Sequence, residues 1–210
     1  NQYLPYGEKS EAFIQSRLAQ LSALLIEEGA DLIVIACNTA TTQAVASLRL
    51  QFDVPFVGTV PAIKPAAAQY CQSGFTVLAT PATCRSSYLQ GLIAEFAPGC
   101  PVGTAGSSEL VRLAELKVWY QQDVCSAVAA ELSRLGLLQQ RPAALVLGCT
   151  HFPFLKAELA ACLPDTVFLD TAEAIARRVH ALVAVDGNVT SATEEYRHLY
   201  ISSGALDERQ

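Results

Sequence analysis

Two cysteines stand in the same local setting at distant points of the sequence. Cys37 follows the apolar run "VIA" and precedes "NTATT", whereas Cys149 follows "LVLG" and precedes "THFP". Each run is typical of a buried strand and ends in a small residue just before the cysteine. A thiol, with a reference pKa of about 8.5, is an acid–base group near working pH. Either cysteine alone is more often a small core residue, but the repeated setting predicts one site with two thiols.

The predicted turns place both thiols where α/β proteins bind ligands. In open α/β sheets, ligands lie beyond the carboxyl ends of the strands. A helix that begins there offers unpaired N–H groups and partial positive charge, which attract a carboxylate and lower the pKa of a thiol. We therefore expect lowered pKa values for Cys37 and Cys149. Asn38, Thr39 and Thr150 can add hydrogen bonds to a small anion.

Two thiols on opposite sides of a cleft suit inversion at a carbon atom that bears an acidic hydrogen. One thiolate removes the proton from one face, and the other thiol delivers a proton to the opposite face. Such a reaction requires a dry, preorganised site. Two alternatives stay open at this point. One cysteine with His151 would suit acyl transfer in a cysteine hydrolase, and a protein that only binds an amino acid could use the same cleft.

Other residues that carry chemistry have a weaker signal. His151 lies two residues after Cys149, which favours a functional role, whereas Glu115 in "VRLAELKV" resembles any solvated helical carboxylate. Trp119 is predicted to be partly in the core, and His180 and His198 are interpreted as ordinary. Five cysteines outside the repeated setting are interpreted as structural, namely Cys71, Cys84, Cys100, Cys125 and Cys162.

Metal and nucleotide sites are not predicted. The sequence has only three histidines and no closely spaced Cys-x-x-Cys pair, so a zinc site is not expected. It also lacks the glycine-rich patterns that bind phosphates, which weighs against a nucleotide cofactor.

The composition is that of a globular protein. The 210 residues can form one large domain or two small ones, with 51% hydrophobic and 16% charged residues. The net charge of −6 gives no reason to expect nucleic acid or a membrane surface as a partner. Seven irregularly spaced cysteines indicate free thiols rather than a disulfide framework, and hence the reducing cytoplasm.

Apolar periodicity predicts alternating strands and helices. The predicted helices cover residues 11–30, 41–52, 61–74, 86–97, 107–118, 123–136, 152–163 and 172–185. The predicted strands cover residues 31–37, 55–60, 75–80, 143–149 and 166–170, with a last strand at 196–204. This alternation predicts an α/β fold with mostly parallel sheets flanked by helices. The matching cysteine turns suggest two similar halves.

Four motifs together resemble a known family. In order along the chain, "PYGEKS", "ACNTATT", "LATPAT" and "GCTHFP" resemble the glutamate racemases of the aspartate/glutamate racemase family, and the likeness runs from Pro5 to about Arg178. The resemblance implies cofactor-independent conversion of L-glutamate to D-glutamate for bacterial peptidoglycan. Related aspartate racemases usually carry glutamate where His151 stands, so glutamate is the favoured substrate. Aspartate is the alternative substrate, and a homodimer stays open.

The resemblance also implies roles for individual residues. Cys37 is similar to the thiol that works on the D-isomer, Cys149 to the thiol for the L-isomer, and Glu115 to an auxiliary catalytic carboxylate. His151 resembles the polar partner of the second cysteine and also a substrate ligand. The other residues that resemble substrate ligands are Pro5, Tyr6, Gly7, Asn38, Thr39, Thr80, Thr83 and Thr150.

The family has two α/β domains that face each other across the substrate. By analogy, residues 1–60 with 172–210 form the first domain and residues 61–171 the second, with one cysteine from each. The strand "TVFLD" is nevertheless counted with "DLIVIAC" and "PFVGT" among the strands of the first domain. The family opens with a glycine-rich Asp-Ser segment that this sequence does not contain, and the chain has no methionine. We therefore expect the natural protein to begin upstream.

Overall fold

The strands form two parallel sheets. The computed structural model describes Tyr3 and residues 6–185. The smaller sheet pairs β1 (Ile33–Ile35) with β2 (Phe56–Gly58). The larger sheet comprises β3 (Phe75–Ala79), β4 (Val102–Gly106), β5 (Ala144–Gly148) and β6 (Val167–Leu169), in the order β4-β3-β5-β6. All of these pairs are parallel, which confirms the predicted α/β fold class.

Helices connect and cover these strands. Their bounds are α1 (Glu11–Glu27), α2 (Asn38–Gln51), α3 (Ile63–Tyr70), α4 (Pro81–Arg85), α5 (Ser87–Phe96), α6 (Glu109–Tyr120), α7 (Cys125–Arg134), α8 (Leu137–Gln140), α9 (Lys156–Cys162) and α10 (Ala172–Val185). Two short 3-10 helices cover Tyr6–Glu8 and Phe152–Leu155. None of the helices in the described part of the chain is long and apolar enough to cross a bilayer.

The smaller sheet packs against α1 and α2. α1 begins after Ser10, whose hydroxyl accepts a hydrogen bond from the Phe13 N–H and so caps the helix. The core here contains buried aliphatic and aromatic side chains from both helices and both strands, among them Ile14, Ile33, Ile35, Val45, Leu48 and Phe56. α2 begins directly after β1, so this packing fixes the turn that carries Cys37.

The centre of the larger sheet is buried on both faces. Every residue of β3 and β5 is buried, as expected for parallel strands covered by helices on each side. Leu145 and Leu147 face one core with α6 and α7, whereas Val146 faces the other with α3 and α5. The continuous apolar runs of the sequence therefore correspond to the two strands that end beside the site.

Some predicted elements need correction. β4 was missed because "VGTAG" contains two glycines and only Ala105 of the strand is buried. The strand "TVFLD" does not belong to the sheet of β1 and β2, since its residues Val167–Leu169 pair with β5 in the larger sheet. The two-domain division, with residues 61–171 as one unit, stays a prediction. The predicted strand at 196–204 lies outside the described residues.

The cysteines also depart from the prediction of free thiols. Cys71 and Cys100 form a disulfide, with their Cα atoms 4.7 Å apart. Cys71 ends α3 and Cys100 precedes β4, and the sheet brings these points together because Phe75 and Val102 are register partners. Cys37, Cys84, Cys125, Cys149 and Cys162 are free, and Cys125 is exposed. Trp119 is 42% exposed, so the prediction of a partly core residue was wrong.

Candidate active site

Each of the paired cysteines lies just beyond the carboxyl end of a parallel strand. Cys37 follows β1 and is the N-cap of α2, where its sulfur accepts a hydrogen bond from the Ala40 N–H at 3.5 Å. Cys149 follows β5 and is buried. The chain leaves each strand in a turn that leads into a helical segment, so the backbone and not a flexible loop sets the position of each sulfur.

A hydrogen bond joins the two cysteine turns. The Thr150 hydroxyl donates to the Ala36 carbonyl at 3.2 Å, across 114 positions of sequence. Ala36 immediately precedes Cys37, and Thr150 immediately follows Cys149. The contact therefore links the end of the smaller sheet to the end of β5, and it places residues from both sheets in one site.

A second contact between these parts of the chain is a cluster of three buried hydroxyls. The Thr39 hydroxyl lies 2.9 Å from that of Thr80 and 3.2 Å from that of Thr83. Thr80 also caps α4 by accepting from the Thr83 N–H. Each hydroxyl can donate once and accept twice, so the three can reorient together toward an anion without leaving their places.

The 3-10 helix Tyr6–Glu8 covers this cluster. A Cβ atom on Gly7 would lie 3.3 Å from the Cβ of Thr80, so a larger residue here would require the Thr80 side chain to shift by a few tenths of an ångström. Burial raises the pKa of Tyr6, and the nearby Cys37 adds to this shift. The Tyr6 phenol therefore stays protonated and lies within electrostatic reach of the Cys37 sulfur. Pro5 lies outside the described residues.

Asn38 provides a buried acceptor beside Cys37. Its side chain is 3% exposed, and its Oδ1 atom has no hydrogen-bond partner within the described residues. A buried amide oxygen without a partner is costly, and such groups usually bind a water molecule or a ligand. The first residue of α2 thus offers a free oxygen where a small polar molecule could enter.

Glu115, His151 and Cys149 form a chain of polar contacts. Nε2 of His151 lies 2.6 Å from Oε1 of Glu115, and Nδ1 of the same ring lies 3.8 Å from the Cys149 sulfur. When Nε2–H donates to the Glu115 carboxylate, Nδ1 carries a lone pair and can accept the thiol proton. Glu115 is therefore not an ordinary solvated carboxylate, because α6 directs it at His151.

Burial dominates the titration of both thiols. It raises the pKa of Cys37, against the smaller opposing effect of hydrogen bonds from the Ala40 and Thr39 N–H groups. Burial is also the main reason that the pKa of Cys149 rises to about 12, and a charge on Cys37 contributes to this rise. The prediction of lowered pKa values was wrong because desolvation outweighs the helix N–H groups. Since a thiolate at one cysteine disfavours ionisation of the other, the site favours at most one thiolate at a time.

The pKa of Cys149 makes a prediction about stability at alkaline pH. The folded value of about 12 exceeds the ordinary thiol pKa of 9.0, so folding favours the protonated thiol. This stabilisation is complete below pH 9 and is lost as the pH rises toward 12, by at most about 1.4 kcal/mol per pH unit. Urea unfolding of wild type and Cys149→Ser across this range should show a smaller alkaline loss in the variant. Identical losses would contradict the burial of this thiol.

Two threonines near the site were not singled out from the sequence. The Thr41 and Thr59 hydroxyls both donate to the Ile35 carbonyl, at 3.3 and 2.9 Å. They hold the end of β1 two residues before Cys37. The run of threonines in "NTATT" contains Thr41 and could have indicated its role, but only Thr39 of this run was predicted to lie in the site. Among the residues that the structure describes, no group of three or more His, Cys, Asp or Glu side chains could hold a metal ion.

Comparison with known proteins identifies the family. The model of the family described as Asp/Glu/Hydantoin racemase matches residues 4–179. Glutamate racemase of Proteus mirabilis is 43% identical over 197 residues, which cover 92% of this chain and 68% of that protein.

Two solved glutamate racemases have a similar fold. The Escherichia coli enzyme, in complex with L-glutamate and the activator UDP-MurNAc-Ala, has a TM-score of 0.81 and 44% identity and covers 88% of this chain and 70% of its own. The Francisella tularensis enzyme in complex with D-glutamate has a TM-score of 0.73 and 28% identity. The match covers 90% of this chain and 72% of that enzyme. Both the sequence and the structural similarity extend over most of the described residues. This chain therefore belongs to the Asp/Glu/hydantoin racemase family.

Proposed function

We propose that this chain interconverts L- and D-glutamate by proton transfer between the substrate and two thiols, Cys37 and Cys149. The observation that carries the proposal is the pairing of two cysteine turns from different sheets through the Thr150–Ala36 hydrogen bond. Relatives at about this similarity are glutamate racemases, and solved members bind L-glutamate or D-glutamate. The chain is thus an isomerase, and its product D-glutamate is a component of bacterial peptidoglycan.

The proposed reaction moves one proton at each face of the α-carbon. Starting from L-glutamate, the Cys149 thiolate takes the α-proton, and negative charge develops on the α-carbon and its carboxylate. The Cys37 thiol gives its proton to the opposite face, which yields D-glutamate and a Cys37 thiolate. The reverse reaction exchanges the two roles. The site holds one thiol and one thiolate before and after each turnover, in agreement with the mutual effect of their charges.

Formation of the first thiolate needs help, since burial raises both pKa values. His151 supplies this help at Cys149, because its Nδ1 atom lies 3.8 Å from the sulfur and can receive the proton. Glu115 stabilises the resulting imidazolium through the 2.6 Å contact with Nε2. The substrate ammonium group adds a positive charge in the cleft, which lowers the pKa of a nearby thiol.

The remaining polar groups suit an α-amino acid. We assign the substrate α-carboxylate to the hydroxyl cluster of Thr39, Thr80 and Thr83, since these protons can turn toward an anion. The Asn38 Oδ1 atom is an acceptor for the ammonium group. Thr150 already donates to Ala36, so its main part in this arrangement is to hold the two turns together. His151 and the 3-10 helix at Tyr6 and Gly7 complete the substrate site.

A labelling experiment tests the reaction. L-glutamate is incubated with the purified protein in D₂O, and both isomers are analysed by mass spectrometry and chiral chromatography at low conversion. The thiol that reprotonates the carbon has exchanged with solvent, so we expect deuterium at the α-carbon of D-glutamate while the remaining L-glutamate is unlabelled. Unlabelled D-glutamate would instead indicate a single base that returns the same proton.

The same assay separates the alternatives. L-aspartate in place of L-glutamate should give little product, since the substrate is assigned as glutamate. Preferred turnover of aspartate would support the alternative racemase. Glutamate binding without any change in optical rotation would support a protein that only binds the amino acid, and it would contradict the proposed function.

A further inference from the structure

Lys117 links α6 to the segment that starts at His151. The proposed mechanism requires these two elements to keep a fixed relative position. The Lys117 ammonium group donates to the Phe154 carbonyl at 2.8 Å and lies 2.8 Å from the carboxylate of Glu158. The Glu158 side chain is only 10% exposed, and that of Lys117 is 32% exposed. The pair is thus more shielded than the surface ion pairs that contribute little to stability.

The two partners of Lys117 belong to the segment that starts at His151. Phe154 lies in the 3-10 helix that follows His151, and Glu158 lies in the first turn of α9. On the other side of the contact, α6 carries both Lys117 and Glu115. α6 is therefore joined to this segment twice, through Glu115 with His151 and through Lys117 with Phe154 and Glu158.

The second link constrains the position of the imidazole ring. The start of α6 is held separately, since the hydroxyl of Ser107, just before the helix, accepts from the Leu110 N–H and donates to the buried Glu131 carboxylate. Lys117 stands near the opposite end of α6, whose last residues Val118, Trp119 and Tyr120 are exposed. Without Lys117, the last turns of α6 could move relative to His151, and the 3.8 Å contact of the ring with Cys149 would lengthen.

We propose that Lys117 is a positioning residue for the half of the reaction that uses Cys149. This inference rests on the proposed function, and it adds a residue that acts through Glu115 and His151 without touching substrate. Misplacement of a catalytic group by about 1 Å can reduce the rate by about 100-fold. We therefore expect loss of Lys117 to slow proton transfer at Cys149 and to leave transfer at Cys37 unchanged.

The test compares Lys117→Met with Lys117→Arg and with Arg112→Met. Arginine can still bond the carbonyl and the carboxylate, so it should retain most activity. Arg112 is a matched control, because it is a cation on the same helix whose ion pair with Glu109 is exposed and stays within α6. The equilibrium constant between enantiomers is one, so kcat/KM for both isomers must fall by the same factor, which we expect to be about 10-fold to 100-fold for Lys117→Met.

Isotope effects then show which half is slowed. When transfer at Cys149 becomes more rate-limiting, the primary effect with α-deuterated L-glutamate should rise, and that with α-deuterated D-glutamate should fall. A change in general stability would not produce opposite shifts. Glu158→Gln, which removes the charge of the partner, should shift both effects in the same directions. It provides the readout if Lys117→Met does not fold.

Three results would overturn the inference while the proposed function stands. These are unchanged isotope effects in active Lys117→Met or Glu158→Gln protein, shifts in the reverse directions, or an equal effect of Arg112→Met. Failure of the wild-type protein to racemise glutamate would instead contradict the proposed function itself.

Discussion

Cys149→Ser should reduce kcat/KM for glutamate racemisation by about 10³-fold or more, and Cys37→Ser should do the same. Each substitution removes one member of an acid–base pair that must act in every turnover, in either direction. A serine hydroxyl is a far weaker acid than a thiol, so it cannot form the required anion in this buried site. Circular dichroism at a wavelength where the glutamate isomers differ follows the reaction directly.

Each serine variant should retain one half of the chemistry. Cys149→Ser keeps Cys37 and should still exchange the α-proton of D-glutamate with solvent, whereas Cys37→Ser should exchange that of L-glutamate. Proton NMR in D₂O measures both exchange rates. Cys162→Ser is the matched control, because this thiol is also free and partly buried but lies at the end of α9. Racemisation by Cys149→Ser near the wild-type rate would rule out the two-thiol mechanism.

Phe152→Ala should lower the free energy of unfolding by about 3–5 kcal/mol. Phe152 is fully buried and is one of the largest side chains in the core beneath α6 and α7. It follows His151 directly, so the cavity that alanine leaves would also loosen the backbone that positions the imidazole. Urea unfolding, monitored by far-ultraviolet circular dichroism, measures the change.

Phe154→Ala is the control for this substitution. Phe154 lies in the same 3-10 helix but is 55% exposed, and its carbonyl contact with Lys117 does not depend on the side chain. We expect its free energy of unfolding to stay within about 0.5 kcal/mol of wild type. Equal losses in both variants would mean that this helix does not present Phe152 to the core and Phe154 to solvent.

Local patterns in the sequence were sufficient to predict the strands that have continuous apolar runs. β3 and β5 were predicted because strands buried on both faces have continuous apolar runs. β4 was not, since its glycines resemble a loop and its pairing with β3 comes from tertiary structure. The disulfide between Cys71 and Cys100 was missed for the same reason, because nothing in their spacing shows that α3 ends beside the start of β4.

The same distinction applies to the candidate site. The positions of Cys37 and Cys149 at strand ends follow from the local pattern, whereas Glu115 drew attention only through the family resemblance. The direction of the thiol pKa shifts could not be predicted, because it depends on how completely neighbouring elements exclude water. Lys117 gave no signal, since its partners lie 37 and 41 positions away.

The order of strands in the larger sheet has a consequence for how this chain folds. β3 lies between β4 and β5, and Val77 faces Thr104 on one side and Val146 on the other. β5 is synthesised only after α4 to α8. One edge of β3, which is fully buried in the folded protein, therefore stays unpaired until most of the chain has been synthesised. Pairing between such distant segments is slow, and it leaves an apolar edge open to aggregation in the meantime. Cys149 directly follows β5, so the site that contains both thiols forms only in a late step of folding.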